Sequence, residues 1–278
     1  MLGAVTTIYW RDMLKFFRLK AMLFASLIQP VLWLAFFGLG MSESFTSNMP
    51  PMSSPPGVLE VDYLTFMSAG IIAMTVLFTC LYSGIFLQLD KQFGLLKQII
   101  ISPIRRSHIL FGLTLSGTTK SLLQAFIIIL FGVVIGVSMF SGYSVSEGII
   151  GVLGIVMFTV LFATGLMFLS IAISLRIESH EGVQAVITML TLPLFFASNA
   201  LYPIESLPTF LQFLSLINPL TYYINGIRYF GIGEEFFAFG NLYEFTTQGI
   251  LLSLAALLVF NLLAYIMAVM AFKKAKVV

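Results

Sequence analysis

Six long apolar runs constrain this chain more than any other feature of its sequence. They cover residues 22–41, 64–89, 110–139, 149–175, 183–201 and 249–272. A bilayer core of about 30 Å needs about 20 apolar residues of helix, and hydrocarbon does not tolerate unpaired backbone groups. Only 9% of the residues are charged, against about 25% in an ordinary soluble domain. The sequence therefore predicts an all-α polytopic membrane protein with six transmembrane helices.

The distribution of basic residues predicts the orientation of these helices. Lysines and arginines cluster before the first run, between the second and third, and after the sixth, whereas the segments on the other side contain only Arg228. Because cytoplasmic segments carry the excess of Lys and Arg, we expect both termini in the cytoplasm. The clustered residues are Arg11, Lys15, Arg18, Lys20, Lys91, Lys97, Arg105, Arg106, Lys273, Lys274 and Lys276.

Residues 1–20 precede the first run and combine basic with aromatic side chains. Arg11, Lys15 and Arg18 recur at i, i+4 and i+7, so they share one face of a helix, while apolar residues occupy the opposite face. This pattern predicts an amphipathic helix that lies in the membrane interface. A membrane anchor without any further role is an equally good interpretation.

The segment 90–103 connects the second and third runs. Phe93, Leu96 and Ile100 recur at i, i+3 and i+7, and Pro103 follows, which predicts a short helix with an apolar stripe that ends before the proline. An apolar stripe at the cytoplasmic surface needs a cover. The membrane-embedded part of the chain itself would cover the stripe, and so would a soluble partner. Such a partner would bind the helix in an apolar groove.

At this loop the sequence resembles the type-2 ABC transporter permeases, in which an acidic-basic-acidic stretch before a glycine leads to an apolar run ending in proline. Two further matching blocks are residues 201–208 and residues 217–222, with Arg228 downstream. The resemblance covers essentially the whole chain and is closest to the daunorubicin-resistance and nodulation-factor export permeases. The sequence departs from the family pattern at Lys91-Gln92, where a basic-acidic pair is usual.

The resemblance implies that residues 1–278 form a single transmembrane domain, the permease subunit of an ATP-driven exporter. This chain would pair with a second copy of itself or with a paralogue. Two copies of a separate ATP-binding cassette subunit would dock on the pair and hold ATP and magnesium. The N-terminal helix and the 90–103 segment, as a cytoplasmic coupling helix, would contact that subunit. The coupling residues implied are Asp90, Lys91, Phe93, Gly94, Leu96, Lys97 and Pro103.

The same resemblance implies a substrate class and a location. The substrate would be an amphipathic drug, lipid or glycan-linked molecule that leaves the cytoplasm. The membrane would be the plasma (inner) membrane of a prokaryote, and no nucleic-acid partner is expected. An ion-coupled secondary transporter or a channel that works without an ATPase is the open alternative.

Residues 203–235 lie before the last run and contain two short apolar stretches, 208–216 and 222–230, separated by Asn218-Pro219. Each stretch is too short to cross a bilayer, and an Asn-Pro pair is typical of a break between helices. We therefore predict an external re-entrant helical hairpin. The resembling family also has a hairpin at this place.

Arg228 is the only basic residue predicted on the external side, and Glu234, Glu235 and Glu244 follow it closely in the sequence. Lone charges near the membrane surface usually pair or reach the headgroups. We expect an ion pair at the outer rim. A role in substrate exit is the alternative.

Neutral polar residues interrupt the apolar runs at Gln29, next to Pro30, and at Asn199 and Asn261. These residues either form hydrogen bonds between helices or line a translocation path between two permeases. No Asp or Glu lies in the middle of a run, which disfavours an ion-coupled transporter, since such transporters place ionisable groups there.

Glycine pairs predict where helices approach closely. Gly132 and Gly136 form a G-x-x-x-G pair, and Gly148, Gly151 and Gly154 form a second small-residue stripe. Small residues at this spacing allow close contact of membrane helices.

Catalytic chemistry is not expected in this chain. The sequence has no Gly-Lys pair, so it lacks the phosphate-binding loop G-x-x-x-x-G-K-[ST], and any ATP must be hydrolysed by another polypeptide. His108 and His180 have no metal-ligand spacing. We expect no catalytic residues, no metal site and no cofactor bound by this chain itself.

Overall fold

The computed structural model describes residues 2–41, 58–101, 104–238 and 240–274, and helices predominate in them. The helices are α1 (Leu2–Arg18), α2 (Lys20–Leu32), α3 (Tyr63–Gln92), α4 (Leu95–Ile101), α5 (Arg106–Val134), α6 (Val145–Arg176), α7 (His180–Phe196), α8 (Thr209–Ile217), α9 (Pro219–Gly231) and α10 (Thr247–Lys274). A π-helical segment, Trp33–Leu39, continues α2, and a short 3-10 helix, Ile204–Ser206, precedes α8.

Four of the described helices are long and apolar enough to cross a membrane: α3, α5, α6 and α10. This confirms a polytopic, mainly helical membrane protein. The fifth predicted run corresponds to α7, which has 17 residues, and the first corresponds to α2 with its π-helical continuation. The count of six transmembrane helices stays a prediction.

Pro30 lies inside α2, and the π-helical segment begins three residues after it. A proline has no amide hydrogen and disturbs the hydrogen bonds of the turn around it. π-Helical turns are rare, and local π adjustments are one way in which membrane helices accommodate a proline. The helix predicted at the first apolar run is therefore present, but its second half is wound differently.

Helix α3 lies at the centre of the bundle and is buried along most of its length. Asp62 is its N-cap residue, and the Asp62 carboxylate accepts a hydrogen bond from the Thr65 amide at 3.2 Å. Gly84 lets α6 approach closely: Ser174 Oγ donates to the Gly84 carbonyl at 2.8 Å. The long-range packing of the chain is thus organised around α3.

The two ends of the bundle differ in chemistry. We call the end that carries α1 and α4 the basic end, and the opposite end the sheet end. The sheet end contains a three-stranded sheet of β1 (Leu59–Glu60), β2 (Glu235–Ala238) and β3 (Asn241–Glu244). Strand β1 pairs with β2 in parallel, and β2 pairs with β3 antiparallel, with Phe236 opposite Tyr243. The sequence analysis did not predict this sheet.

The predicted hairpin corresponds to α8 and α9, which meet at Asn218. Its side chain accepts a hydrogen bond from the Leu220 amide at 3.0 Å and so caps α9, and Pro219 occupies the first turn. The side-chain nitrogen of Asn218, Nδ2, donates to the carbonyls of Leu194 and Ala197 at 2.7 and 2.8 Å. Asn218 therefore joins the hairpin to the end of α7. Entry of the hairpin into the bilayer stays a prediction.

Candidate coupling site at the basic end

Asp90 lies in the last turn of α3 and bonds two basic residues of α1. Arg11 Nη2 is 2.9 Å from Asp90 Oδ2, and Lys15 Nζ is 2.5 Å from Oδ1. The side chain of Asp90 is only 6% exposed, so this contact is more than a loose surface pair. It joins the N-terminal helix to the helix that enters the 90–103 segment, two elements that were predicted separately.

A second ion pair joins α1 to α5. Lys120 Nζ lies 2.8 Å from Asp12 Oδ2, and Ser116 Oγ donates to the same oxygen at 2.9 Å. Burial opposes ionisation of Asp12, but Lys120, Ser116 and Arg11 outweigh it and hold the pKa of this carboxyl below its usual value. Lys120, which lies within the third predicted apolar run, is thus paired with Asp12.

Sequence reasoning did not identify Asp12 as a structural residue. One signal was available, since Asp12 is the only acidic residue in the first 20 positions of a strongly basic segment. The apolar face of α1 also packs on the bundle: Ile8 is 5% exposed and lies against Gly112 of α5. Helix α1 is therefore bound to the protein by ion pairs and by apolar contacts.

Gly94 separates α3 from α4 and takes a φ of +74°, which L-residues with a side chain rarely adopt. Its amide donates to the Lys91 carbonyl at 3.2 Å. Lys91 Nζ donates to the Ile177 carbonyl at 2.9 Å, so the connection between α6 and α7 also holds the end of α3. The turn directs Phe93 outward, where its side chain is 76% exposed.

The predicted continuous apolar stripe is wrong. Phe93 is exposed, but Leu96 is 3% exposed and belongs to the main apolar core. The cause is the turn at Gly94, which starts a new helix and rotates the residues after it relative to Phe93. Lys97 is exposed, and Pro103 lies outside the described residues. Among the described side chains at this turn, Phe93, Leu95 and Ile101 are exposed and apolar, with 76%, 40% and 66% of their areas accessible.

The polar residues predicted on a translocation path do not lie together. Gln29 is exposed and lines a cavity of about 410 Å³ near the basic end, while its neighbour Pro30 is buried. Asn199 is buried near the sheet end, where its amide donates to Asn225 Oδ1 at 2.6 Å. Asn261 of α10 donates to the Leu161 carbonyl of α6 at 2.8 Å, which is a packing contact.

The ion pair expected for Arg228 is replaced by other contacts. Its side chain is buried, and Nη2 donates to the Asn199 carbonyl at 2.7 Å. Within the described residues no carboxylate lies at ion-pair distance from it. Glu234 instead accepts a hydrogen bond from Tyr229 at 2.9 Å. Of the interfacial residues, Arg11 and Lys15 bind Asp90, whereas Arg18 is exposed.

Comparison with known proteins identifies the family. A family model of the ABC-2 type transporters matches residues 3–230. A putative transport permease ycf38 of Cyanophora paradoxa is 33% identical over 250 residues, which cover 88% of this chain and 80% of that relative. The daunorubicin resistance ABC transporter permease protein DrrB1 of Streptomyces coeruleorubidus is 20% identical and matches 79% of this chain and 72% of its own.

The inner membrane transport permease YadH of Escherichia coli K12 is 22% identical, and the match covers 83% of each chain. The three relatives thus align along most of their length. The family model covers most of the chain described here. The apolar helices described above are those of a membrane protein. The protein belongs to the ABC-2 type transporter permease family and is a transmembrane subunit of an ABC transporter.

Proposed function

We propose that this chain moves an amphipathic molecule out of the cytoplasm, driven by ATP and magnesium bound in separate ATP-binding cassette subunits. Two copies of that subunit serve a pair of permeases, formed by this chain with a second copy or a paralogue. The basic end faces the cytoplasm of a prokaryotic cell, and the sheet end lies outside. The observation that carries the proposal is the exposure of Phe93 at the turn that ends the central helix.

The exposed turn is connected to the rest of the molecule through α3. A partner that pushes on Phe93 acts on a helix that is held at its inner end by Asp90 and Lys91. At 1.5 Å per residue, the helix from Phe93 to Phe66 is about 40 Å long. Its far end contacts Arg228, which donates to the Phe66 carbonyl at 3.4 Å. A movement at the turn therefore reaches the sheet end through one continuous element.

The cavity near the basic end supports an amphipathic substrate. Its lining combines the paired charges of Asp12, Lys15 and Lys120 with the aromatic rings of Phe16 and Phe78. Sites for small molecules are mostly apolar with a few polar groups that orient the ligand. A molecule with a polar head and an apolar body matches this lining better than a small ion does.

The proposal is tested by purifying the full chain in mild detergent from its own membranes and measuring magnesium-dependent ATP hydrolysis. A stoichiometric nucleotide-binding subunit that hydrolyses ATP is expected to purify with the wild type. Truncation of an aromatic anchor weakens an interface strongly, so Phe93→Ala should lower the recovered ATPase activity at least about tenfold.

Phe210→Ala is the matched control, because Phe210 of α8 is similarly exposed, at 72%, but lies towards the opposite end. It should recover the ATPase as the wild type does. Uptake by liposomes that contain the purified chain alone, without ATP, would instead establish an ion-coupled transporter or a channel. Full ATPase recovery with Phe93→Ala would rule out docking at this turn.

A further inference from the structure

A second cavity, of about 500 Å³, lies at the sheet end between α9 and the sheet. Its volume is in the range of sites for small ligands, and polar side chains dominate its lining. The lining includes Asn199, Glu205, Arg228, Tyr243 and Glu244.

Arg228 provides a buried positive charge to this cavity. Its side chain is 1% exposed, and the guanidinium carbon lies 3.6 Å from the centroid of the Phe66 ring. The carbonyls of Asn199 and Phe66 accept hydrogen bonds from Nη2. Carbonyl dipoles and an aromatic face compensate part of the charge, but a buried cation is costly without an anion, and the described residues offer none at ion-pair distance.

Three buried polar atoms around the cavity have no hydrogen-bond partner among the described residues: Arg228 Nε, Tyr243 Oη and Asn199 Oδ1. Buried polar atoms nearly always have a partner, so three exceptions around one cavity indicate a bound molecule. Burial raises the pKa of Tyr243 to about 12. At neutral pH its hydroxyl is therefore protonated and can donate a hydrogen bond into the cavity.

The remaining charges indicate what kind of molecule fits. Glu205 and Glu244 also line the cavity, and both are exposed, whereas Arg228 is buried. A simple anion would be attracted by the charge of Arg228 and repelled by the charges of Glu205 and Glu244. A ligand that carries both signs would satisfy all of them, with its negative group inside and its positive group near the opening.

We propose that this cavity binds a zwitterionic aminoalkyl phosphate group. The phosphate accepts hydrogen bonds from Arg228 Nε and Tyr243 Oη. The ammonium lies near Glu205 and Glu244 and donates to Asn199 Oδ1. This chemistry occurs both in a soluble phosphorylated amino alcohol and in the head of an ethanolamine phospholipid. The site does not depend on how the transporter couples to ATP.

The test uses the full chain, with any subunits that stay bound, in nanodiscs of phosphatidylglycerol, whose headgroup has no ammonium. Titration calorimetry compares phosphoethanolamine with inorganic phosphate and with ethanolamine. Phosphoethanolamine is expected to bind at least about tenfold more tightly than either fragment, because each fragment keeps the hydrogen bonds of only one of the two charged groups. Equal binding of inorganic phosphate, or no binding of phosphoethanolamine, would overturn the proposal.

Tyr243→Phe locates the site, because it removes a hydroxyl that has no partner among the described residues and keeps the ring stacked on Phe236, at 5.1 Å between centroids. We expect about tenfold weaker binding of phosphoethanolamine with an unchanged melting temperature. Tyr143→Phe is the control, since its hydroxyl bonds the Tyr229 carbonyl outside the cavity lining. Unchanged affinity of Tyr243→Phe would refute the assignment to this cavity.

Nanodiscs that contain phosphatidylethanolamine distinguish the two sources of the group. If the lipid head reaches the cavity, these nanodiscs should weaken the apparent binding of phosphoethanolamine relative to nanodiscs of pure phosphatidylglycerol. Unchanged binding assigns the site to a soluble ligand. Either result is interpreted only when Tyr243→Phe has shown that the calorimetric signal comes from the cavity.

Discussion

At Gly94 the backbone has a φ of +74°, and a Cβ added there would meet no atom within 4 Å. Gly94→Ala therefore tests backbone conformation alone, without a clash. The left-handed conformation costs a residue with a side chain about 1 kcal/mol, and we expect the turn to change its geometry. The melting temperature should fall slightly, and ATP-driven transport should fall more, with normal insertion into the membrane.

Gly148→Ala is the matched control for that substitution. Gly148 lies in the first turn of α6, and a Cβ there would likewise meet nothing within 4 Å. Because alanine favours a helix over glycine by up to about 1 kcal/mol, the variant should be as stable as the wild type or more so. If Gly94→Ala transports as well as Gly148→Ala, the conformation of this turn is not needed for coupling.

At the scale of elements, the ion pair between Asp12 and Lys120 predicts how firmly α1 is attached to α5. Both side chains are largely buried, at 18% and 12% exposure. Asp12→Asn leaves the ammonium without an anion, and such a loss costs about 3 kcal/mol. Adding Lys120→Met should restore much of the lost stability. Thermal unfolding of the single and double variants will measure this recovery.

Lys15→Gln serves as the control for this pair, because Asp90 keeps its contact with Arg11 and the loss of stability should be smaller. A double variant as unstable as the sum of the single ones would show that the two charges do not interact. The pH dependence follows from the lowered pKa of Asp12. The stabilisation is complete above the unfolded pKa of about 4 and is lost as the pH falls through the lower folded value.

The boundaries of the long helices could be predicted because lipid imposes one simple pattern on them. The runs at 64–89 and 149–175 differ by only a few residues from α3 (Tyr63–Gln92) and α6 (Val145–Arg176). The pairing of Asp12 with Lys120 could not be predicted, since these residues are far apart in the sequence and each has several possible partners.

The glycine pairs show how spacing alone can mislead. Gly154 packs against the ring of Phe230, as the small-residue stripe predicted. Gly136 has a φ of +101° and follows the end of α5, where the Val137 amide bonds the Gly132 carbonyl at 2.9 Å. The pair of Gly132 and Gly136 therefore lies where a helix ends, as glycines at C-termini often do.

At the scale of the whole molecule, Gln29 predicts where two permeases meet. Its side chain is exposed on α2, although a polar group at membrane depth is poorly accommodated by lipid. Phe196 of α7 is 47% exposed. Gln29→Cys and Phe196→Cys should therefore form cross-links between two copies in native membranes, which electrophoresis without a reductant will detect.

Leu252→Cys is the control for these cross-links, because Leu252 is 64% exposed on α10 and its apolar side chain suits contact with lipid. We expect no cross-linked dimer from it. Cross-linking of Leu252→Cys but not of Gln29→Cys would place the contact between permeases on α10 instead. This contact could not be read from the sequence, since exposed leucines look alike whether lipid or protein covers them.

Cys80 gives the molecule a natural reporter of its own opening. It is the only cysteine, it is fully buried in α3, and its sulfur lies 3.0 Å from Ser121 Oγ of α5. A thiol reagent cannot reach it while these two helices stay together. If the central helix separates from α5 during a transport cycle, alkylation of the unmodified protein will be faster during turnover than at rest, and each labelled chain will record that it has opened at least once.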